Sequence, residues 1–188
     1  MAAKQRHELI VGGTGGQGVL TIGYVLAAAA TEVYQYVTRF PIYMATQRGG
    51  PAFATVIFAD EEIAAPILSR SANAIAMETG SYSRFKKEVK PGGRLFVNSS
   101  IVKKADQAGN YQLYEIPVTD LAQEMGKAQM ANIIMLGAYR EITGVLSEDL
   151  VLKALQKDVG EGRMEAALAA FQRGVAYARE QKMVSAGP

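Results

Sequence analysis

The segment Gly13-Thr14-Gly15-Gly16-Gln17-Gly18 has the spacing G-x-G-x-x-G, directly after an apolar run and directly before a helical one. Glycines at these positions let the backbone turn sharply and leave room for a ligand against N–H groups at the positive end of a helix. The chemistry this suits is the binding of a phosphate or diphosphate. A second segment, Gln47-Arg48-Gly49-Gly50-Pro51, sets a guanidinium beside two residues without side chains, free to fork onto a phosphate or carboxylate. Together they make Gly13, Gly15, Gly16, Gln17, Gly18, Arg48, Gly49 and Gly50 the candidate cofactor-binding residues. No residue stands out as catalytic or as a metal ligand. A plainer reading stays open: the glycines can serve only close packing of a helix on a strand, and Gly49-Gly50-Pro51 can be an ordinary turn.

Other reactive residue types offer less. A dinucleotide site would add an acid at the end of the second strand, but no Asp or Glu occurs between Val33 and Ala59. Arg39 in that stretch would suit a phosphorylated ribose, which favours NADP over NAD. His7, the single histidine, has only Glu8 beside it and reads as structural. Glu78 follows a strand and can face the carboxyl ends of the sheet without being assigned catalysis. Ser99-Ser100 reads as a turn cap, with no G-x-S-x-G elbow around it. The eight methionines read as core filler. The absence of cysteine excludes thiolate ligation of an iron–sulfur cluster, a disulfide and a thiol nucleophile.

The elements that must position these loops follow from periodicity. His7 to Val11 is a short buried strand halted by Gly12-Gly13, and a helix runs from about Gln17 to Val33. Tyr36 to Phe40 is a strand ending at Pro41, and Ala52 to Ala59, apolar on both faces, is an interior strand. Asn73 to Met77 is a strand, Ser81 to Val89 a helix, Arg94 to Asn98 a strand after the turn Pro91-Gly92-Gly93, and Tyr111 to Ile116 the last strand. Pro117 can open a helix. Asn132 to Ile142 is helical and apolar nearly all round, closing at Gly144. Met130, Ile133, Ile134 and Leu136 on it are candidates for a subunit interface. Ser147-Glu148-Asp149 caps another helix. The final helix carries Met164, Ala167, Leu168, Phe171, Val175 and Ala178 as one apolar stripe. The result is one α/β domain, residues 1–188, with three layers: a mostly parallel, Rossmann-like sheet and helices on both faces.

Composition narrows the function further. With 49% hydrophobic and 20% charged residues, disorder and coiled coil are excluded. A formal charge of +2 leaves no nucleic-acid footprint. Val19 to Ala30 is too short to span a bilayer, so no membrane association is expected. No secretory leader opens the chain, so a cytoplasmic location is expected.

The G-G-Q-G turn with its alanine-rich helix, the Gln47-Arg48-Gly49-Gly50-Pro51-Ala52 loop, Lys90-Pro91-Gly92-Gly93-Arg94-Leu95 and Met130 to Ala138 together, in this order, resemble the gamma subunit of 2-oxoacid:ferredoxin oxidoreductases. The resemblance implies a multisubunit enzyme converting a 2-oxoacid and coenzyme A to acyl-CoA and CO2, with ferredoxin as electron acceptor. It further implies that thiamine diphosphate and magnesium are held by alpha and beta subunits, and iron–sulfur clusters by beta or a delta subunit. The missing cysteines and the lack of any Gly-Asp-Gly agree that this chain holds neither. The unbroken Arg48-Gly49-Gly50-Pro51 resembles the 2-oxoglutarate and branched-chain (2-ketoisovalerate) members more than the pyruvate ones. On this reading the chain is inactive alone, firmly binds no cofactor, and can touch coenzyme A through its glycine loops. It can also pair with itself when isolated. Two alternatives stay open: a free-standing NADP- or flavin-binding oxidoreductase, and a purely structural assembly subunit.

Overall fold

The computed structural model describes residues 5–43, 49–106 and 109–185. Its strands are β1 (Arg6–Thr14), β2 (Tyr36–Tyr43), β3 (Pro51–Ala59), β4 (Ser71–Ala76), β5 (Val89–Asn98) and β6 (Tyr111–Ile116). Its helices are α1 (Val19–Ala30), α2 (Thr79–Glu88), α3 (Val118–Glu124), α4 (Ala131–Thr143), α5 (Glu148–Val159) and α6 (Glu161–Ser185), with a 3-10 turn at Ala128–Met130.

The six strands form one sheet in the order β2-β3-β1-β4-β5-β6. β1, β4, β5 and β6 run parallel, while β3 pairs antiparallel with both β1 and β2. Side chains alternate between two cores, as the strand period requires. Leu9, Val11, Val56, Phe58, Ile75 and Phe96 join the core beneath α1 and α3 to α6, whereas Ile10, Ala74, Ala76, Leu95 and Val97 join Tyr82 and Phe85 of α2. The sheet is thus a middle layer between five helices and one. Segment 60–70 helps cover the thinner side, where the Thr55 hydroxyl donates to the Pro66 carbonyl at 2.6 Å.

Several boundaries differ from the sequence reading. Gly12-Gly13 does not halt β1, because both residues are paired with β3 (Gly12 with Phe53, Gly13 with Ala52), and the ladder carries the strand to Thr14. β2 passes through Pro41, which an edge strand tolerates. α1 begins two residues late, since Gly18 takes a left-handed conformation (φ 68°) as its cap, and it ends at Ala30. β5 starts at Val89 and absorbs Pro91-Gly92-Gly93 into an irregularity of its pairing with β4. There Lys90 reaches the buried carboxylate of Glu8 on β1 at 2.5 Å. Gly144 and Ser147 act as read, the first closing α4 with φ 63° and the second accepting the Leu150 N–H.

Met130, Ile133, Ile134 and Leu136 are buried within the chain itself, so the interface assigned to them is intramolecular. Their partner is α6. A side chain at Gly174 would stand 2.0 Å from the Ile134 carbonyl oxygen, and one at Gly137 would stand 2.2 Å from that of Phe171. The two helices therefore meet backbone to backbone. This turns the α6 stripe toward Ala167, Ala170, Phe171, Gly174, Val175 and Ala178, leaving Leu168 39% exposed rather than packed. Gly174→Ala is expected to cost about 2 kcal/mol by overpacking, lowering Tm by roughly 4–8 °C for a chain of this size. Calorimetry would check it, and an unchanged Tm would mean that the helices are not held this closely.

Candidate functional site

Two parallel neighbours, β1 and β4, send their following helices to opposite faces of the sheet, α1 to one and α2 to the other. The crevice beyond their carboxyl ends is where ligands sit in open α/β sheets. The glycine loop, residues 13–18, lies there. The β2–β3 hairpin brings the second glycine segment to the same place, because the β1–β3 ladder pairs Pro51 with Thr14 and Ala52 with Gly13. The Gly15 N–H then donates to the Gly50 carbonyl at 2.8 Å. Gly13, Gly15, Gly16, Gln17, Gly18, Gly49 and Gly50 are thus gathered at one end of the sheet. Arg48 and Gln47 lie outside the described residues.

The glycines divide into two kinds. A side chain at Gly13 would meet Gln17 Oε1 at 2.4 Å and Val19 at 2.9 Å, and one at Gly18 would meet Asn132 Nδ2 at 2.3 Å. Gly12, not among the candidates, similarly admits Phe85 of α2. These positions serve packing. Gly16 (φ 95°) and Gly49 (φ 75°) have positive φ and nothing within 4 Å of the place a Cβ would take, so they serve a turn with open space above it.

Gln17 holds the loop in shape. Its Oε1 accepts the Thr14 N–H at 2.8 Å, and its Nε2 donates to the Met77 carbonyl at 3.4 Å. From the other side Asn132 of α4 donates through Nδ2 to the Gly18 carbonyl at 3.2 Å. No side chain caps the amino end of α1, and no acid lies in its first turn. A cleft of about 190 Å³ opens there, lined by Gly16, Gln17, Met77, Ile101, Thr119 and Asn132 among others. Its lining contains amides and a hydroxyl but no charged side chain. Asn98, fully buried beneath it, donates to the Met77 carbonyl at 3.3 Å and to the Thr119 hydroxyl at 2.9 Å. Uncapped N–H groups, a positive helix end and neutral hydrogen-bonding walls suit an anion that carries further polar atoms.

Asn132 and Thr119 lie outside the glycine motifs that mark the site in the sequence. Asn132 carries a signal nonetheless, as a polar residue opening an apolar helical run. Thr119 carries none. Arg39 does not stand beside β1, because β3 intervenes; it lies over the Tyr24 ring at 5.6 Å. That insertion removes the adjacency of first and second strands on which dinucleotide recognition relies. His7 stacks on Phe58 (5.1 Å) and meets Tyr34 edge-on, and burial lowers its pKa although Asp60 opposes this. Ser100 caps as expected, its Oγ accepting the Asp120 N–H at 3.0 Å. Among the described residues no group of three metal-ligating side chains occurs, and no helix is long and apolar enough to cross a membrane.

The model of the pyruvate ferredoxin/flavodoxin oxidoreductase family matches residues 8–177. The chain belongs to this family. It is 31% identical over 180 residues to the 2-oxoglutarate synthase subunit KorC of Methanocaldococcus jannaschii, covering 94% of this chain and 96% of that one. Its fold is similar to that of the gamma subunit of a keto/oxoacid ferredoxin oxidoreductase from Geobacter sulfurreducens (TM-score 0.80, 30% identity, 94% and 98% covered). It also resembles part of the 2-oxoglutarate:ferredoxin oxidoreductase from Magnetococcus marinus with 2-oxoglutarate, coenzyme A and succinyl-CoA bound. That match has a TM-score of 0.86 at 26% identity and covers 95% of this chain but 32% of that one. Family and end-to-end match make the chain a gamma-type subunit of a multisubunit 2-oxoacid:ferredoxin oxidoreductase.

In this family member Glu78, past the carboxyl end of β4 and in the wall of a cleft with Thr14 and Pro51, caps α2. Its carboxylate accepts the N–H groups of Gly80 and Ser81, both at 2.5 Å, and the Ser81 hydroxyl at 2.7 Å. Burial alone would raise its pKa, but these bonds outweigh burial and hold it below the ordinary 4.5. A depressed folded pKa gives stability that is complete above the unfolded value and is lost as pH falls through the folded one. Glu78→Ala should therefore lose about 1 kcal/mol at pH 7. Urea unfolding of both proteins at pH 7 and at about pH 3 should show that gap closing in acid. An equal gap at both would assign it to packing.

Proposed function

We propose that this gamma subunit serves an enzyme of the 2-oxoglutarate class and that its two glycine loops hold coenzyme A. In the reaction, a 2-oxoacid and coenzyme A yield acyl-CoA and CO2, and two electrons pass to ferredoxin. Thiamine diphosphate and the clusters, carried by partner subunits, supply the carbon and electron chemistry. This chain has no cysteine and so offers no thiolate to a cluster.

What supports the reading is the hydrogen bond from the Gly15 N–H to the Gly50 carbonyl, which sets both motifs around one crevice. The coenzyme A diphosphate would lie over Gly16 at the uncapped start of α1, with Arg48 supplied by the adjoining loop. Asn132, Gln17 and Thr119 offer amide and hydroxyl groups to the polar arm beyond it. For the 2-oxoacid, the unbroken Arg48-Gly49-Gly50-Pro51 and the likeness to a 2-oxoglutarate synthase subunit point the same way. A free-standing NADP enzyme fits less well, because β3 separates the two strands that such a site needs side by side.

In the reconstituted complex, Arg48→Ala is expected to raise KM for coenzyme A roughly tenfold, the loss of one charge-assisted contact, with KM for the 2-oxoacid unchanged. Unchanged constants for coenzyme A, with assembly intact, would overturn the coenzyme A reading.

A further inference from the structure

Asn98, the last residue of β5, is completely buried, yet its amide is only half used. Nδ2 donates to the Met77 carbonyl at 3.3 Å and to the Thr119 hydroxyl oxygen at 2.9 Å, while Oδ1 has no hydrogen-bond partner. An acceptor buried without a donor costs stability, and leucine, close to asparagine in shape, would remove that cost. Leucine would not orphan Met77 either, because Gln17 Nε2 also donates to its carbonyl. Core packing therefore gives no reason for an amide at this position. The reason lies in what Nδ2 does to Thr119.

The amide cannot turn over. With Oδ1 in the place of Nδ2, an oxygen would face the Met77 carbonyl oxygen, and the bond would become a repulsion. The main chain is pinned as well, since the Asn98 carbonyl accepts the N–H groups of Ile101 and Val102 at 3.1 and 3.0 Å. Nδ2 thus meets Thr119 in one sense only, as a donor. A hydroxyl has one proton to give. Because Thr119 Oγ1 accepts from Asn98, that proton is turned away from the amide. Among the described residues no acceptor takes it within the chain. Thr119 is half-buried and lines the cleft at the glycine loop.

We propose that Asn98 is a positioning residue, which acts through Thr119 to make its hydroxyl a donor toward the cleft. The assignment rests on the coenzyme A reading above: the group meeting Thr119 would be an acceptor oxygen of the coenzyme, and a ligand presenting a donor there would be disfavoured. Asn98 itself touches no ligand. It removes the rotational freedom of a hydroxyl before binding, so that less ordering is left to subtract from the affinity.

The test uses the reconstituted complex and reads KM for coenzyme A, KM for the 2-oxoacid, kcat and Tm. Thr119→Val should raise KM for coenzyme A roughly fivefold, the loss of one neutral hydrogen bond, while Thr119→Ser, which keeps the hydroxyl, should stay at the wild-type value. Asn98→Leu should raise the same constant but add nothing in the Thr119→Val background, with kcat, KM for the 2-oxoacid and Tm held. Asn98→Ser, smaller and still polar, takes its place in that cycle if the leucine does not fit. An additive pair would mean that Asn98 acts by another route. An unchanged constant in Thr119→Val would mean that the hydroxyl meets no ligand. Either overturns the proposal, and a raised KM for coenzyme A in Arg48→Ala would then leave the coenzyme A reading standing. If Arg48→Ala also leaves that constant unchanged, with the complex assembled, the coenzyme A reading falls and the proposal with it.

Discussion

Everything at the carboxyl end of the sheet depends on β3 being inserted, antiparallel, between β1 and β2. A parallel neighbour would have ended beside β1 and carried its following loop away to a helix. An antiparallel one begins there, and so delivers the hairpin's residues Gly49 and Gly50 onto the turn that leaves β1. The bond from Gly15 to Gly50 is the consequence, with the two backbones in contact at 2.8 Å between nitrogen and oxygen. Two motifs that are far apart in sequence become one crevice through strand order alone.

The helical layer then fixes what the sheet assembles. α4 is pressed against α6 at the reciprocal contacts of Gly137 and Gly174, and so cannot slide without a clash of backbones. Asn132, in the first turn of α4, bonds the Gly18 carbonyl from that fixed position, and its side chain fills the space that a Cβ at Gly18 would take. Gln17 ties the loop to Met77, and Asn98 reaches the same carbonyl from β5. The geometry of the glycine loop is thus inherited from core packing on one side and from three strand ends on the other.

What could be read from the sequence was local. The apolar runs of β1 and β3, the glycine stop of α4, the serine cap of α5 and the glycine-rich turn all announce themselves within a few residues, because each reflects short-range backbone or side-chain physics. What could not be read depended on pairing. Gly12 and Gly13 look like a strand stop until β3 supplies their hydrogen-bond partners. Pro41 looks like a strand end until β2 proves to be an edge. Leu168 fits the helical stripe of α6 as well as its neighbours do, yet the approach of α4 at Gly174 rotates the buried face away from it. At the site, the motif gathers as one loop at the end of the sheet, but it does not tell the work of each glycine. Only the neighbours of Gly13 and Gly18 separate packing from the open turn at Gly16.

A gamma subunit without a thiol offers no sulfur ligand to a redox enzyme, and what its described loops show is order. In the Magnetococcus marinus enzyme the matching fold occupies 32% of a longer chain, whereas here it forms most of its own. A site completed by association works best if each side is ordered before contact, because every loop or side chain immobilised on binding subtracts from the affinity. The described part of this crevice meets that condition. Gly15, Gln17 and Gly18 are each held by a hydrogen bond within the chain, to Gly50, to Thr14 and Met77, and to Asn132 respectively. On the coenzyme A reading proposed above, the uncapped N–H groups at the start of α1 would meet the diphosphate with little reordering, and the helix dipole would favour its charge.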